Sequence, residues 1–225
     1  MPDYKVPKLR PAWFLPHHAV WHPRKPQEPR VLFKCASVSG GTSLNEQLLR
    51  GLENTSTLKG VILRFRVEDI AVTADIKRMF HKVCVVPEDH GVLCYLWWPS
   101  GDLSKEPKTY QMLIHIFGAR SSPSVAGYAL RKTDDDNKKD FSREPVHAVF
   151  RDFYADDLLK SFAHSERAIT VSKELQELLP KGGFELTKWN SNSRKVLSAF
   201  PVEERAPQVK NLDLNSQSSP TDRAL

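Results

Sequence analysis

Two adjacent acids set in an otherwise apolar run, Phe153-Tyr154-Ala155-Asp156-Asp157-Leu158-Leu159, constrain this chain more than any other feature. Residues 148–155 and 158–162 are β-prone on either side of them. The pattern predicts a hairpin with Asp156 and Asp157 at its tip. Asp75 has a similar setting, at the end of Ile70-Ala71-Val72-Thr73-Ala74 and just before Ile76-Lys77-Arg78-Met79-Phe80. Two strand ends presenting carboxylates to one point make a hard, oxygen-rich site suited to Mg²⁺. A pair of such ions stabilises the attacking and leaving oxygens in nucleotidyl transfer. Asp is also common in turns, so the acids alone do not decide the chemistry.

With 40% hydrophobic and 27% charged residues over 225 positions, the chain has the composition of a globular protein of one domain, or of one domain with a smaller lobe. Its net charge of +6 suits a polyanionic partner only where the cations cluster. Residues 22–34 form a basic, proline-broken stretch that is a candidate for facing phosphates. Cys35, Cys84 and Cys94 are odd in number and widely spaced, which argues against a disulfide framework and for a reducing compartment. No apolar run reaches the length of a membrane span, so the expectation is a soluble, intracellular protein without a membrane partner.

The proline-rich first 35 residues predict extended strands and turns. Ser43, with Glu46 at capping-box distance, predicts a short helix through Leu44, Leu48, Leu49 and Leu52. A second helix is expected over 56–66. Strands are expected at 70–75, 81–86, 92–98 and 109–116, with a helix from about Ser122 to Asn137. Ser165 is expected to cap a helix carrying Ala168, Val171, Leu175, Leu178 and Leu179, ended by Pro180 and Gly182-Gly183, before a strand at 184–189. Strands broken by two long helices predict an α+β fold, an antiparallel sheet with helices on one face. After Glu203 the apolar content falls, and 201–225 reads as a disordered tail.

Some conspicuous residues read as structural. Asp134-Asp135-Asp136 lies in a Lys/Asp-rich run and reads as a solvated helix face. His17, His18 and His22 lack a cysteine pair and do not read as a zinc site. Trp97-Trp98-Pro99 reads as core packing at a strand end.

Segments spread along nearly the whole chain resemble the fingers and palm of reverse transcriptases from LTR retrotransposons of the BEL/Pao group. They are Trp13-Phe14-Leu15-Pro16-His17-His18-Ala19-Val20, Gly41-Thr42-Ser43-Leu44-Asn45, Ala74-Asp75 with Met79-Phe80-His81, Leu96-Trp97-Trp98-Pro99, Phe117-Gly118-Ala119 with Ser121-Ser122-Pro123-Ser124, Tyr154 with Asp156-Asp157, and Leu186-Thr187-Lys188-Trp189. A Tyr-x-Asp-Asp alone is weak; with the other segments in this order and spacing it is specific. The resemblance implies a right-hand polymerase palm at 69–200, a partial, fingers-like region at 1–68, and RNA-directed DNA polymerase activity. It implies Asp75, Asp156 and Asp157 as catalytic metal ligands for two Mg²⁺ ions, with Mn²⁺ as a substitute, and a primer on an RNA or DNA template with dNTPs as partners. It further implies Phe80 as a steric gate against the ribose 2′-OH, Arg30 on the incoming triphosphate through its multi-donor guanidinium, and Lys188 near the pyrophosphate leaving group as a general acid. Phe117, Gly118, Arg120, Ser122, Pro123 and Tyr154 would lie close to template or nucleotide, with Pro123 early in a helix where its missing N–H costs little.

The chain departs from the group at Lys34, where relatives carry aspartate, at Lys77-Arg78, two cations directly after Asp75, and at Ala155, where valine is commoner. The resemblance further implies a chain that ends where a thumb would begin, without protease, RNase H and integrase regions. The rest of a retroelement polyprotein is therefore an expected partner. An inactive retroelement fragment and a non-catalytic nucleic-acid-binding remnant stand as the alternatives, the latter binding phosphates in a salt-dependent way.

Overall fold

A proline-interrupted hairpin of β1 (His17–His22) and β2 (Lys25–Phe33) forms where the sequence predicts extended chain. The computed structural model describes residues 12–22, 25–52 and 56–210. It divides into two units, one holding residues up to Gly51 together with Phe80–Pro123, the other holding Leu52–Met79 with the stretch from Ser124 onward. This division interleaves along the sequence, unlike the consecutive 1–68 and 69–200 segments expected above.

In the first unit, α1 (Leu44–Gln47) carries the expected capping box. Ser43 accepts from the Glu46 N–H, and the Glu46 carboxylate accepts from the Ser43 N–H at 2.8 Å. The helix stops at once because Leu48 turns extended, and Leu49 and Leu52 are exposed instead of extending the apolar face. Strand β4 (Cys94–Trp97) pairs antiparallel with β5 (Lys108–Gln111). Leu15, Cys35, Leu44, Leu93, Ile116 and Ala119 form this unit's core. The expected strand at 81–86 does not form: Met79–Lys82 is a 3₁₀ turn, and only Cys84 makes an isolated bridge, to Ile114. Trp97 is about half exposed and packs edge-on against Trp98, which corrects the core reading of that pair. His17 sits among Phe33, Tyr95 and Trp97.

In the second unit, α2 (Leu58–Phe65) starts at Thr57, whose side chain accepts from the Gly60 N–H. Strand β3 (Ile70–Ile76) buries Val72, Ala74 and Ile76 on alternate positions, the period-2 signature of a strand with one face on a core. Helix α3 spans Ser122–Asn137 as predicted. Helix α4 (Arg143–Arg151) takes up the first half of the run read as a strand. Pro145, Ala148 and Val149 are buried at helical spacing, so packing overrides the β-propensity of residues 148–151. What remains of the hairpin is β6 (Phe153–Tyr154) and β7 (Asp157–Phe162).

Helix α5 (Ser165–Leu178) buries Ala168, Val171, Leu175 and Leu178 as expected. Its N-cap, however, is His164; the Ser165 hydroxyl instead shares a hydrogen bond of 2.9 Å with that of Ser193. Strand β8 (Leu186–Ser191) and α6 (Arg194–Ser198) complete the unit. The sheet order is β6-β7-β3-β8, every pair antiparallel, with α2, α4 and α5 packed against it. The fold is α+β, an antiparallel sheet with helices on one face.

Two further corrections concern polar segments. Residues 201–210 are packed rather than tail-like: Ala206 and Val209 are buried against Leu197, and Ala206 N–H donates to Trp189 O at 2.9 Å. The remainder of that expected tail, 211–225, lies outside the described residues. Asp135 and Asp136 are exposed and paired with Lys138 and Lys132, as a solvated face requires. Asp134 is not; it is fully buried with no partner for either carboxylate oxygen among the described residues, and burial pushes its carboxyl up to about 6. No described helix is long and apolar enough to cross a membrane.

Trp189 is fully buried on β8 and stacks on Phe200, with centroids 4.3 Å apart and ring planes 10° from parallel. Trp189→Ala is expected to lower the unfolding free energy by about 3–5 kcal/mol, read from urea denaturation at constant m-value.

Candidate active site

Side chains on β3 alternate, so burying Val72, Ala74 and Ile76 puts Asp75 on the other face, at the strand's end. The register pairs Asp75 with Asp157 across β3 and β7. Asp156 precedes Asp157 in the two-residue turn that Ala155 begins, and Ala155 has φ 51. A β-branched residue would be a genuine outlier at that angle; alanine bears it at smaller cost. The Ile76 N–H donates to Asp156 O at 2.8 Å, which ties the turn to the end of β3. The three acids predicted from the sequence are thus gathered at one end of one sheet. Tyr154, exposed, faces Asp157 in the hairpin pair.

Gathering carboxylates has an electrostatic cost. Desolvation raises the Asp156 carboxyl, and the charge of Asp75 raises it further against a backbone hydrogen bond that pulls it down. For Asp157, desolvation comes first, then the charges of Asp156 and Asp75. Lys188 opposes these shifts at both acids. Its Nζ donates to Asp75 Oδ2 at 2.8 Å.

The backbone explains how Lys188 comes to point there. Pairing between β3 and β8 runs Thr73 to Asn190 and then Asp75 to Thr187, so Lys188 and Trp189 together oppose Ala74 alone. This is a β-bulge, and Lys188 occupies its left-handed position at φ 57, a place usually given to glycine. Left-handed backbone costs a residue with a Cβ roughly 1–2 kcal/mol. The bulge aims Lys188 at the acids while Trp189 stays in the core. Lys77, the cation directly after Asp75, pairs with Glu185 at 3.3 Å and not with the acids.

The donor chemistry fits a hard divalent cation: the acids offer only oxygen, and an ammonium already stands against one of them. Among the described residues, however, no group of three or more His, Cys, Asp or Glu side chains stands close enough together to hold a metal ion.

The other predicted residues belong to the first unit. Arg30 is exposed on β2, opposite Val20. Phe80 packs edge-on against Phe117 at 4.6 Å, and His81 meets the same ring at 5.6 Å. Gly118 has φ 100, and a Cβ there would lie 2.7 Å from Phe33 O, so the position admits only glycine. Ser122 is fully buried and donates to Ile116 O at 2.8 Å, so its hydroxyl holds the loop. Arg120 is exposed, and Pro123 is the second residue of α3. Asn45 is the contributor that sequence reasoning passed over. Its amide donates to Gly118 O at 2.9 Å and its Oδ1 accepts from the Arg120 N–H at 2.8 Å, clamping the loop from both sides. Its place in the Gly41–Asn45 segment was the available signal.

Among solved structures, the chain is similar to the prototype foamy virus protease–reverse transcriptase in its selenomethionine-labelled CSH mutant (TM-score 0.59, 14% identity, 81% of this chain and 21% of that one). It is also similar to the native form of that protein (0.57, 16%, 81% and 21%) and to the foamy viral protease–reverse transcriptase in complex with an RNA/DNA hybrid (0.57, 12%, 80% and 20%). No family model matches the sequence, and no curated protein does. The likeness establishes a reverse-transcriptase-like fold, of which this chain spans about a fifth of the length of those proteins.

Because the folded pKa of Asp157 is raised, the associated stability is present below the unfolded value of about 3.9 and is lost as pH rises through the folded pKa. In metal-free buffer, Asp157→Asn should therefore melt higher than the parent at pH 7, and the gain should shrink toward zero as pH falls to about 4.

Proposed function

We propose that this chain is the polymerase portion of a reverse transcriptase of the BEL/Pao group, an RNA-directed DNA polymerase whose second unit is the palm and whose first is fingers-like. The observation that carries the reading is the pairing of Asp75 with Asp157, beside Asp156, at one sheet end of a reverse-transcriptase-like fold. The complex of the foamy viral relative with an RNA/DNA hybrid supports a primed template as the partner. Since the relatives are several times longer, other parts of a polyprotein would contribute to binding and processivity.

Asp75 and Asp156 would hold two Mg²⁺ ions, with Asp157 as the third acid; such ions acidify the primer 3′-OH and neutralise charge developing on the phosphates. The chain's own residues do the rest. Burial first, and neighbouring carboxylate charge after it, raise Asp156 and Asp157, and a bound cation would offset the charge part of that cost. Lys188 carries a proton at Nζ, aimed by its bulge, and gives it to the pyrophosphate leaving group once free of Asp75. Phe80, braced by Phe117, is the gate that prefers dNTPs over rNTPs, and the Arg30 guanidinium binds the triphosphate.

Primer extension on poly(rA)–oligo(dT) with Mg²⁺ is the test. Incorporation by the folded chain should fall at least about 100-fold in the Asp156→Asn, Asp157→Asn double variant. Absence of incorporation by a demonstrably folded chain, or equal incorporation by the variant, would overturn the reading.

A further inference from the structure

A second charged region lies in the second unit, away from the acids. A cleft of about 620 Å³ opens between α2, α4, α5 and β7. It reaches Lys160 and Ser161, three and four residues along β7 from Asp157, or about 10–13 Å at the rise of a strand. Five arginine or lysine side chains and three carboxylates line it.

The cations are not all neutralised. Asp152 is engaged at both oxygens, by Arg64 Nε at 3.5 Å and by Lys160 Nζ at 3.1 Å. Glu144 is likewise engaged at both, by Lys160 at 3.5 Å and Arg167 at 2.6 Å. These pairs knit the cleft floor and consume its inner acids. Arg143, His147 and Arg151 recur every four residues along α4 and so share one face. The Arg143 Nε donates to His147 Nε2 at 3.4 Å, and neither Arg143 nor Arg151 has an acid within ion-pair reach among the described residues. The remaining carboxylate, Glu68, is exposed, with its backbone N–H bonded to Ser161 Oγ.

We propose that this cleft is a phosphate-binding site, taking an anion with several phosphate groups against the exposed Arg143–Arg151 face. Guanidinium forks match phosphate oxygens in pairs. The eight-residue separation of the two arginines spans about 12 Å of helix, which suits a chain of phosphates better than a single one. The site is independent of the carboxylate cluster and needs no metal.

Calorimetric titration of the full chain with inorganic tripolyphosphate, in EDTA, tests it. Binding is expected, weakened on the order of tenfold or more by Arg143→Ser with Arg151→Ser. Both side chains are exposed, and an unchanged melting temperature verifies that the variant folds. Glu68→Gln should bind more tightly, because a repelling charge is gone, and Asp156→Asn with Asp157→Asn should bind as the parent does. Competition by a (dT)₁₂ oligonucleotide that is itself weakened by the double arginine change assigns the site to a nucleic-acid backbone; binding without such competition assigns it to a free polyphosphate. No binding of tripolyphosphate, or equal binding by parent and double arginine variant, overturns the proposal.

Discussion

The ion pair between Lys188 and Asp75 is the interaction on which the site depends. Three carboxylates at the end of one sheet repel one another and resist losing water, and both effects raise Asp156 and Asp157. An ammonium 2.8 Å from Asp75 offsets part of that cost, acting against the rise at both acids. The pair is exposed on the lysine side, so its direct contribution to stability is modest. Its importance lies in where it puts positive charge.

Backbone geometry makes the pair available. A one-residue slip between β3 and β7 would send Asp75 to the core face and Ala74 to the surface, so the buried alternation of β3 fixes the register that pairs Asp75 with Asp157. The bulge at Lys188 and Trp189 then lets one strand satisfy two demands. Trp189 seats in the core against Phe200, and Lys188 turns to the acids at the cost of a left-handed φ. Stability and chemistry are coupled at two neighbouring residues.

Much of this was legible from local pattern. The helix from Ser122 to Asn137, the Ser43–Glu46 capping box and the apolar positions of α5 follow from periodicity and capping chemistry, which are local properties. The gathering of Asp75, Asp156 and Asp157 was legible because Asp75 lies at the end of one apolar strand and Asp156-Asp157 lie at the turn that opens another. What tertiary packing decides was not. Residues 148–151 are β-prone alone and helical once Ala148 and Val149 seat in the core. Asp134 looks like its exposed neighbours Asp135 and Asp136 but falls on the buried side of α3. Lys188 could be matched to a role, but its partner depends on a bulge, which has no sequence signature when the left-handed position is not glycine.

The central claim is that Lys188 stands where a divalent cation would act on Asp75. Electron paramagnetic resonance of free Mn²⁺, titrated with the folded parent chain and with Lys188→Met, tests it most directly. The account predicts that Lys188→Met binds Mn²⁺ several-fold more tightly, because the internal cation no longer competes, and that Asp75→Asn weakens binding in either background. Equal or weaker Mn²⁺ binding by Lys188→Met would contradict it.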